Sequence, residues 1–305
     1  MSNTQNVGHT HMVPTGNTNS APGKKDRREA ARETARSERE AEKKRQRRNR
    51  IFLQGGIGIA VLAIVAIVVV VVVGVNRGSG GGSGPRNMAS AGILFTGKSG
   101  AITPTKTTAA PASGTLTPTK ADAAAKVAHI VTYVDWACPA CKSFEASYAS
   151  NISRLVASGG ATLEVHTIAI LDQNYAGSRY SSRAANVAAC VANYDPAKFL
   201  DAQTAFYSNQ PAEGSTGLSN SAMKKLLSDA GITDTKINSC IDNETYKSWV
   251  ANVSRATSTD KSLVSPASGS FGTPTVYVNG KRWNNSTDFP TFVGQATGLA
   301  GSTTP

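Results

Sequence analysis

The chain has 305 residues, enough for one or two domains, and a formal net charge of +12 at pH 7. That charge is concentrated, because residues 24–50 hold thirteen Lys or Arg against six Asp or Glu. The rest of the chain is only mildly basic, which argues against nucleic-acid binding. A hydrophobic content of 40% is below the globular norm and reflects a polar first segment and polar linkers.

The first fifty residues are predicted to be a disordered, basic cytoplasmic segment. Residues 1–23 have no hydrophobic periodicity, so they cannot bury enough surface to offset the entropy of ordering. Residues 24–50 favour helix but have no apolar face. We expect this basic flank to contact anionic lipid headgroups.

A single membrane-spanning helix is predicted at residues 51–75, which contain no charged side chain. At 1.5 Å per residue the stretch is roughly 37 Å long, against a hydrocarbon core of about 30 Å. A cleaved signal peptide would have an apolar region of only about 7–15 residues, so we interpret the stretch as a retained signal anchor. Because the basic flank precedes it, the positive-inside rule places the N-terminus in the cytoplasm and the rest outside the cell membrane.

After the span, residues 76–87 are predicted to be a flexible Gly/Ser linker. The folded domain is predicted over residues 88–301. Its first strand would lie within residues 92–97 and pair with residues 101–103. A Thr/Ala/Pro-rich loop through residue 120 would follow.

The most informative pattern is an apolar run followed by a Cys-x-x-Cys pair. Ile130–Val134 predicts a strand, and Cys138-Pro139-Ala140-Cys141 comes next. The residues that follow recur four, four and three positions apart, on one helix face: Phe144, Tyr148, Ile152 and Leu155. The pair therefore lies in the first turn of a helix, where the missing N–H of Pro139 costs nothing.

A thiolate at a helix N-terminus meets unpaired N–H groups and the positive end of the helix dipole, so its pKa falls. The outer Cys138 is then the better nucleophile, and Cys141 is close enough to form a disulfide with it. A zinc half-site is one alternative, but it needs a second Cys or His pair at ligand spacing. The other cysteines are isolated, and His129 and His166 are expected to be core or surface residues. A purely structural local disulfide is another alternative.

A second motif stands about 130 residues later. Thr275–Val278 predicts a strand after Thr273-Pro274. Asn279-Gly280 predicts a tight turn, and Lys281–Trp283 would form the returning strand of the hairpin. Taken alone, this proline is an ordinary strand-entry proline.

Together, the Cys-Pro-x-Cys and Gly-Thr-Pro-Thr motifs resemble the DsbA-like thiol–disulfide oxidoreductases of the thioredoxin superfamily, of the membrane-anchored actinobacterial type. The resemblance covers roughly residues 128–293. It implies an α/β, thioredoxin-like fold in which a cis-proline loop, Thr273-Pro274, lies against the active disulfide, with Thr273 lining the substrate groove. It also implies a helical insertion, at about residues 176–261.

Periodicity in the sequence supports this architecture. Leu163–Leu171 predicts a buried strand, parallel to Ile130–Val134. The insertion shows four helical stretches: Arg179–Asn193, a helix that begins at Asp195-Pro196, Ser221–Ala230 and Asp234–Arg255. After the hairpin, Phe289–Leu299 predicts a terminal helix.

Cys190 and Cys240 lie in the first and last helical stretches of the insertion. Two buried free thiols are one interpretation, but outside the membrane we favour a structural disulfide. It would close a loop of about 50 residues and stabilise the insertion by a few kcal/mol.

The resemblance implies that a substrate thiolate attacks the active disulfide at Cys138 and that a second substrate cysteine resolves the mixed disulfide. Pro139-Ala140 lacks the imidazole of Cys-Pro-His-Cys sites, so we expect a weaker oxidant. Asp135 is a candidate acceptor for the Cys141 proton, or an acid placed for the helix dipole. Trp136 is a candidate wall of the groove or a candidate substrate contact.

Three functions follow: an oxidase that introduces disulfides into exported proteins, a reductase or isomerase, and an anchored binding domain with a structural disulfide. For the first, the resemblance implies reduced exported proteins as substrates and a membrane reoxidase of the DsbB or VKOR type. The active disulfide would be the only redox centre, without a cofactor or metal. We expect a monomer, since no dimerisation domain is visible.

Overall fold

The computed structural model describes residues 83–120 and 127–297. In these residues six strands form one sheet in the order β2-β1-β4-β3-β5-β6. The strands are β1 Ile93–Lys98, β2 Ala101–Pro104, β3 Ala128–Val134, β4 Ala161–Thr167, β5 Thr275–Val278 and β6 Lys281–Arg282. The β3–β4 pair is parallel and the other neighbours are antiparallel. The predicted strands, including the two early ones, are confirmed.

A helix joins the parallel strands, and a helical insertion separates β4 from β5, as predicted. The helices are α1 Pro139–Ala157, α2 Tyr180–Tyr194, α3 Phe199–Ser208, α4 Asn220–Asp229, α5 Thr235–Asp242, α6 Lys247–Thr259 and α7 Phe289–Ala296. This is an α/β, thioredoxin-like architecture in which α1 carries the cysteine pair.

The main core lies between the sheet and the helices. Every residue of β3 and β4 is buried, as expected for central strands that are covered on both faces. Phe144 and Ile152 of α1 are buried and line the same cavity as Leu163 and Val165 of β4. Each such side chain contributes about 1.5–3 kcal/mol of burial free energy, so this contact holds α1 firmly on the sheet.

The opposite face of the sheet buries a polar cluster. The Glu164 carboxylate lies 3.1 Å from His166 Nε2 and 3.5 Å from His129 Nε2, and it accepts hydrogen bonds from Ser90 Oγ and Thr119 N. Burial raises the pKa of Glu164, but hydrogen bonds from both histidines outweigh it and hold the pKa below its ordinary range. The histidines are therefore core residues, one of the two interpretations left open.

The hairpin after the second motif has the predicted turn. Asn279 and Gly280 both have positive φ, 50° and 75°, which a two-residue type I′ turn requires. The returning strand ends at Arg282, one residue earlier than predicted. Trp283 instead joins an aromatic cluster with Phe144 and Phe289.

Two other predicted elements were too long. The strand predicted to Leu171 ends at Thr167, because the Ile170 N–H donates to the Asp135 carboxylate rather than to a neighbouring strand. The stretch Asp234–Arg255 forms two helices, α5 and α6, separated at Glu244, whose φ is +43°. A helix cannot continue through a left-handed residue.

The predicted start at Asp195-Pro196 is also displaced. Pro196–Lys198 forms a 3₁₀ turn, the α-helix begins at Phe199, and the Asp195 side chain caps neither.

The boundary of the predicted linker is wrong at its C-terminal end. Gly84 N donates to Ala110 O at 2.9 Å, Ala110 N donates to Pro85 O at 2.9 Å, and Asn87 Nδ2 donates to Ala192 O at 2.8 Å. Residues 84–87 therefore belong to the folded domain.

The predicted basic segment and membrane span, residues 1–75, lie outside the described residues. In the part of the chain that is described, no helix combines the length and apolarity needed to cross a membrane.

Candidate active site

The cysteine pair lies where β3 runs into α1. Cys138 is the N-cap residue of α1, with φ −84° and ψ 120°, and Pro139 is the first helical residue. Both cysteines are free thiols in this structure. Cys138 is 6% exposed and Cys141 is 1% exposed, while Pro139 and Ala140 are exposed beside them. Cys138 is therefore the more exposed of the two cysteines.

The surroundings of Cys138 favour its thiolate. The Cys141 thiol hydrogen bond is the largest influence, and hydrogen bonds from the Thr273 side chain and from the N–H groups of Cys141 and Ala140 act in the same direction. Against the opposing effect of burial, they lower the pKa of Cys138 to about 6. A thiol with this pKa is mostly ionised at pH 7, which makes it both reactive and a good leaving group.

The inner cysteine is the opposite case. Burial, followed by the hydrogen bond to Cys138 and the charge of that thiolate, raises the pKa of Cys141 well above its ordinary value. The proton of the pair therefore resides on Cys141. The environment separates two chemically identical thiols into a nucleophile and a protonated partner.

The second motif lies against this pair. The Thr273–Pro274 peptide bond is cis, and the Thr273 carbonyl oxygen is 3.4 Å from Cys138 Sγ. Thr275 Oγ1 donates to Gly272 O at 2.6 Å and accepts from Arg282 Nη2 at 2.9 Å. These bonds fix the loop to β5 and β6, so that Thr273 and Pro274 form a wall beside Cys138, where they were predicted.

Asp135 stands at the end of β3 and is fully buried. Its carboxylate accepts hydrogen bonds from Ala137 N at 2.8 Å, Ile170 N at 2.9 Å and Ser181 Oγ at 2.6 Å. Burial is the main cause that raises the pKa of Asp135 to about 6, and the charge of Cys138 adds to it. The carboxylate thus joins the active-site loop to the end of β4 and the start of α2.

The prediction that Trp136 forms a wall of the groove is wrong. Its side chain is 0% exposed and packs against Phe199 and Phe206 of α3, with ring centroids 5.7 and 4.7 Å away. Trp136 Nε1 donates to Gln203 Oε1 at 3.3 Å. A fully buried indole cannot contact a substrate, so Trp136 anchors the loop.

A small cavity lies between α1, α3 and the sheet. It has a volume of about 60 Å³ and is lined on its polar side by Thr132, Glu145, Gln203 and Thr204. Gln203 Nε2 donates to Glu145 at 3.1 Å, and burial raises the pKa of Glu145. A cavity of this size, with polar groups on one side, has room for water.

Three insertion residues at the active site escaped the sequence analysis. Tyr175, Tyr207 and Gln210 each donate to backbone carbonyls of the loop that precedes Cys141. No motif marks them, since their partners are main-chain atoms more than thirty residues away. Only a helical insertion next to the active site was foreseen.

A family model described as Thioredoxin matches residues 120–295, more than half of the chain. The chain belongs to the thioredoxin family. The match spans β3, the cysteine pair, the insertion and the cis-proline loop. Family and paired thiols together identify the protein as a thiol–disulfide oxidoreductase.

Solved structures of this family resemble the chain. MdbA, a thiol–disulfide oxidoreductase from Corynebacterium diphtheriae, matches with 16% identity and a TM-score of 0.50 over 72% of this chain and 96% of that one. It shows the shared fold. Reduced DsbA from Mycobacterium tuberculosis matches with 27% identity and a TM-score of 0.46, over 69% of this chain and 100% of that one. DsbG from the same organism matches with 27% identity and a TM-score of 0.48, over 68% of this chain and 87% of that one. No curated protein matches.

The insertion of this thioredoxin-family protein contains a disulfide. Cys190 of α2 is bonded to Cys240 of α5, with their Cα atoms 5.9 Å apart and a sequence separation of 50. Both residues are buried. Among the described residues, no group of three or more His, Cys, Asp or Glu side chains could hold a metal ion.

Proposed function

We propose that this protein is an extracytoplasmic dithiol oxidase that introduces disulfide bonds into exported proteins through Cys138 and Cys141. The carrying observation is the position of Cys138 at the start of α1, where hydrogen bonds from Cys141, Thr273 and two N–H groups stabilise its thiolate. A stabilised thiolate favours the reduced form of the pair, and a pair that prefers to be reduced is an oxidant of other thiols.

The reaction has two exchange steps. A substrate thiolate attacks Cys138 Sγ of the oxidised pair, the Cys138–Cys141 bond breaks, and Cys141 leaves as a thiolate and takes up a proton. A second substrate thiolate then attacks the substrate sulfur of the mixed disulfide, and Cys138 leaves as a thiolate. The substrate dithiol gives up two electrons, which the cysteine pair keeps.

The geometry supports these roles. Attack at Cys138 is favoured because this residue is the more exposed of the two. Its low pKa makes Cys138 a good leaving group in the second step, when the substrate departs. The Thr273 carbonyl beside it offers a backbone acceptor for an extended substrate segment. Ala140 contributes only its backbone N–H to Cys138. This supports an oxidant weaker than one with an imidazole at that position.

The location and the redox partner belong to the same proposal. The uncharged stretch Ile51–Val75, with its basic flank on the N-terminal side, supports a single-pass anchor with the catalytic domain outside the cytoplasm. Continued turnover needs an electron acceptor, and we assign that role to a membrane reoxidase of the DsbB or VKOR type.

The test is refolding of a reduced secreted protein with the oxidised full-length chain. We expect disulfide formation to be faster than with a Cys138→Ala variant, because that variant has no sulfur for the first exchange. Equal rates would reject the oxidase. The reduction potential of the pair decides the direction: a value near −270 mV, typical of thioredoxin, would favour a reductase, and a less negative value supports the oxidase.

A second prediction concerns Asp135, whose pKa of about 6 fits a group that exchanges protons near neutral pH. We expect Asp135→Asn to slow the attack of Cys141 on a mixed disulfide about 100-fold, because Cys141 must lose its proton first. The rate is measured by rapid mixing with a preformed mixed disulfide between pH 5 and 8.

Ser181→Ala is the matched control, since it removes one hydrogen bond to Asp135 but keeps the carboxylate. The loss of that bond should raise the pKa of Asp135. The pH dependence of Cys141 attack should then shift to higher pH, while the maximum rate of that attack stays the same. If Asp135→Asn reacts as fast as the native protein, the carboxylate only braces the loop.

A further inference from the structure

The active-site loop is held by its carbonyl oxygens. Tyr207 Oη donates to Asp135 O at 3.4 Å, Tyr175 Oη donates to Ala137 O at 2.7 Å, and Gln210 Nε2 donates to both Trp136 O and Cys138 O at 3.0 Å. Four consecutive carbonyls are thus bonded to the insertion, and all three donors come from it.

Gln210 differs from the two tyrosines. Tyr175 and Tyr207 are buried, so each also serves the core. Gln210 follows the end of α3 and is only half-buried. Its amide has two N–H groups, and one nitrogen bridges the carbonyls on both sides of Ala137. The described hydrogen bonds of the Gln210 side chain are both with the loop that carries Cys138.

We propose that Gln210 is a positioning residue for Cys138, which couples the helical insertion to the reactive sulfur. By holding the 136–137 and 138–139 peptide groups, it keeps Sγ against the N–H groups of Ala140 and Cys141 and against Thr273. The role of Gln210 in catalysis rests on the proposed exchange chemistry, whereas its hydrogen bonds to the loop do not depend on that proposal.

The physical basis is electrostatic. Carbonyl oxygens carry negative partial charge, and those of Trp136 and Cys138 are directed to Gln210. Cys138 O also accepts the helical bond from Lys142 N at 3.1 Å, whereas Trp136 O has Gln210 as its described side-chain donor. Without that donor, the loop can relax so that N–H groups are aimed less well at Sγ and carbonyl oxygens come closer. Both changes disfavour the thiolate.

The test compares Gln210→Met and Gln210→Ala in the reduced full-length chain. Methionine keeps the length and apolar contacts of the side chain but cannot donate, and alanine removes both. We expect the midpoint of the Cys138 thiolate titration, followed by absorbance at 240 nm, to rise by about one unit in both variants. The thiolate fraction at pH 6 would then fall about fivefold.

Asn209→Ala is the control, since Asn209 is the exposed neighbour and, within residues 83–120 and 127–297, its side chain donates to Ala205 O of its own helix and not to the active-site loop. Its midpoint should equal that of the native protein. A native midpoint in Gln210→Met would overturn the proposal, whether or not the melting temperature falls. A shift confined to Gln210→Ala would also overturn it, by assigning the effect to packing. The titration requires no substrate, so its outcome is separate from that of the refolding assay.

Discussion

Replacement of Cys141 by alanine is expected to leave Cys138 covalently joined to its substrates and to raise the pKa of Cys138 from about 6 toward its ordinary value of 9.0. The first effect follows because the variant lacks the sulfur that would displace a bound substrate. The second follows because the Cys141 hydrogen bond is the largest influence that lowers the Cys138 pKa.

The thiolate absorbance titration measures the second effect. Non-reducing electrophoresis measures the first, after incubation with a single-cysteine protein whose cysteine is in a disulfide with a small thiol. Cys138 displaces the small thiol as a thiolate, and no second substrate cysteine is present to release the complex. A rise of two units would reduce the thiolate fraction at pH 7 about tenfold. Mixed disulfides should persist until a reductant is added, whereas the native protein should release them.

Cys141→Ser is the matched control because it keeps a hydrogen-bond donor at the same position. It should trap substrates as Cys141→Ala does, while its Cys138 titration midpoint stays nearer to that of the native protein. If both variants titrate like the native protein, the helix N-terminus rather than Cys141 stabilises the thiolate, and our account of the asymmetry is wrong.

The second large effect is expected from removal of the Cys190–Cys240 bond in the double variant Cys190→Ala/Cys240→Ala. The bond closes a loop of 50 residues between α2 and α5. In the chain-entropy model such a crosslink contributes about 4 kcal/mol to the free energy of unfolding. For a domain of this size, that corresponds to a fall in melting temperature of roughly 10 °C.

Thermal and denaturant unfolding of the double variant and the native protein measure this loss. The Cys138 titration midpoint should remain unchanged at 25 °C, since neither residue is among the main influences on the Cys138 pKa. A loss of stability below about 1 kcal/mol would mean that packing of the insertion, and not the crosslink, holds these helices together.

The part of the site that could be predicted from the sequence is the part whose residues are adjacent in the chain. The strand, the Cys-Pro-Ala-Cys turn and the amphipathic helix are adjacent in sequence, so periodicity and capping place Cys138 at the N-terminus of α1. The hairpin at Asn279-Gly280 is equally local, because its turn type follows from two residues that tolerate positive φ.

Other features were predicted only through the family resemblance. Nothing in the residues near Thr273-Pro274 indicates that this loop meets Cys138, 135 positions earlier in the chain. The contact arises because β5 pairs with β3, which brings the residues before β5 to the end of β3.

Trp136 and Asp135 illustrate what the sequence left undecided. A tryptophan beside a reactive cysteine is compatible with a substrate contact or with a core anchor, and the choice depends on α3, which covers the indole. Likewise, the partners of the Asp135 carboxylate come from the loop after β4 and from α2.

By itself, the sequence determined the order of strands and helices, the reactive pair and its place at a helix start, because these depend on neighbours within a few turns of the chain. The tertiary structure alone decided which side chains surround that pair: Gln210, Tyr175 and Tyr207 from the insertion and Trp136 withdrawn into the core. The reason is that these contacts join segments distant in sequence and often involve main-chain carbonyls. Every residue has such a carbonyl, so it leaves no signature in the amino-acid pattern.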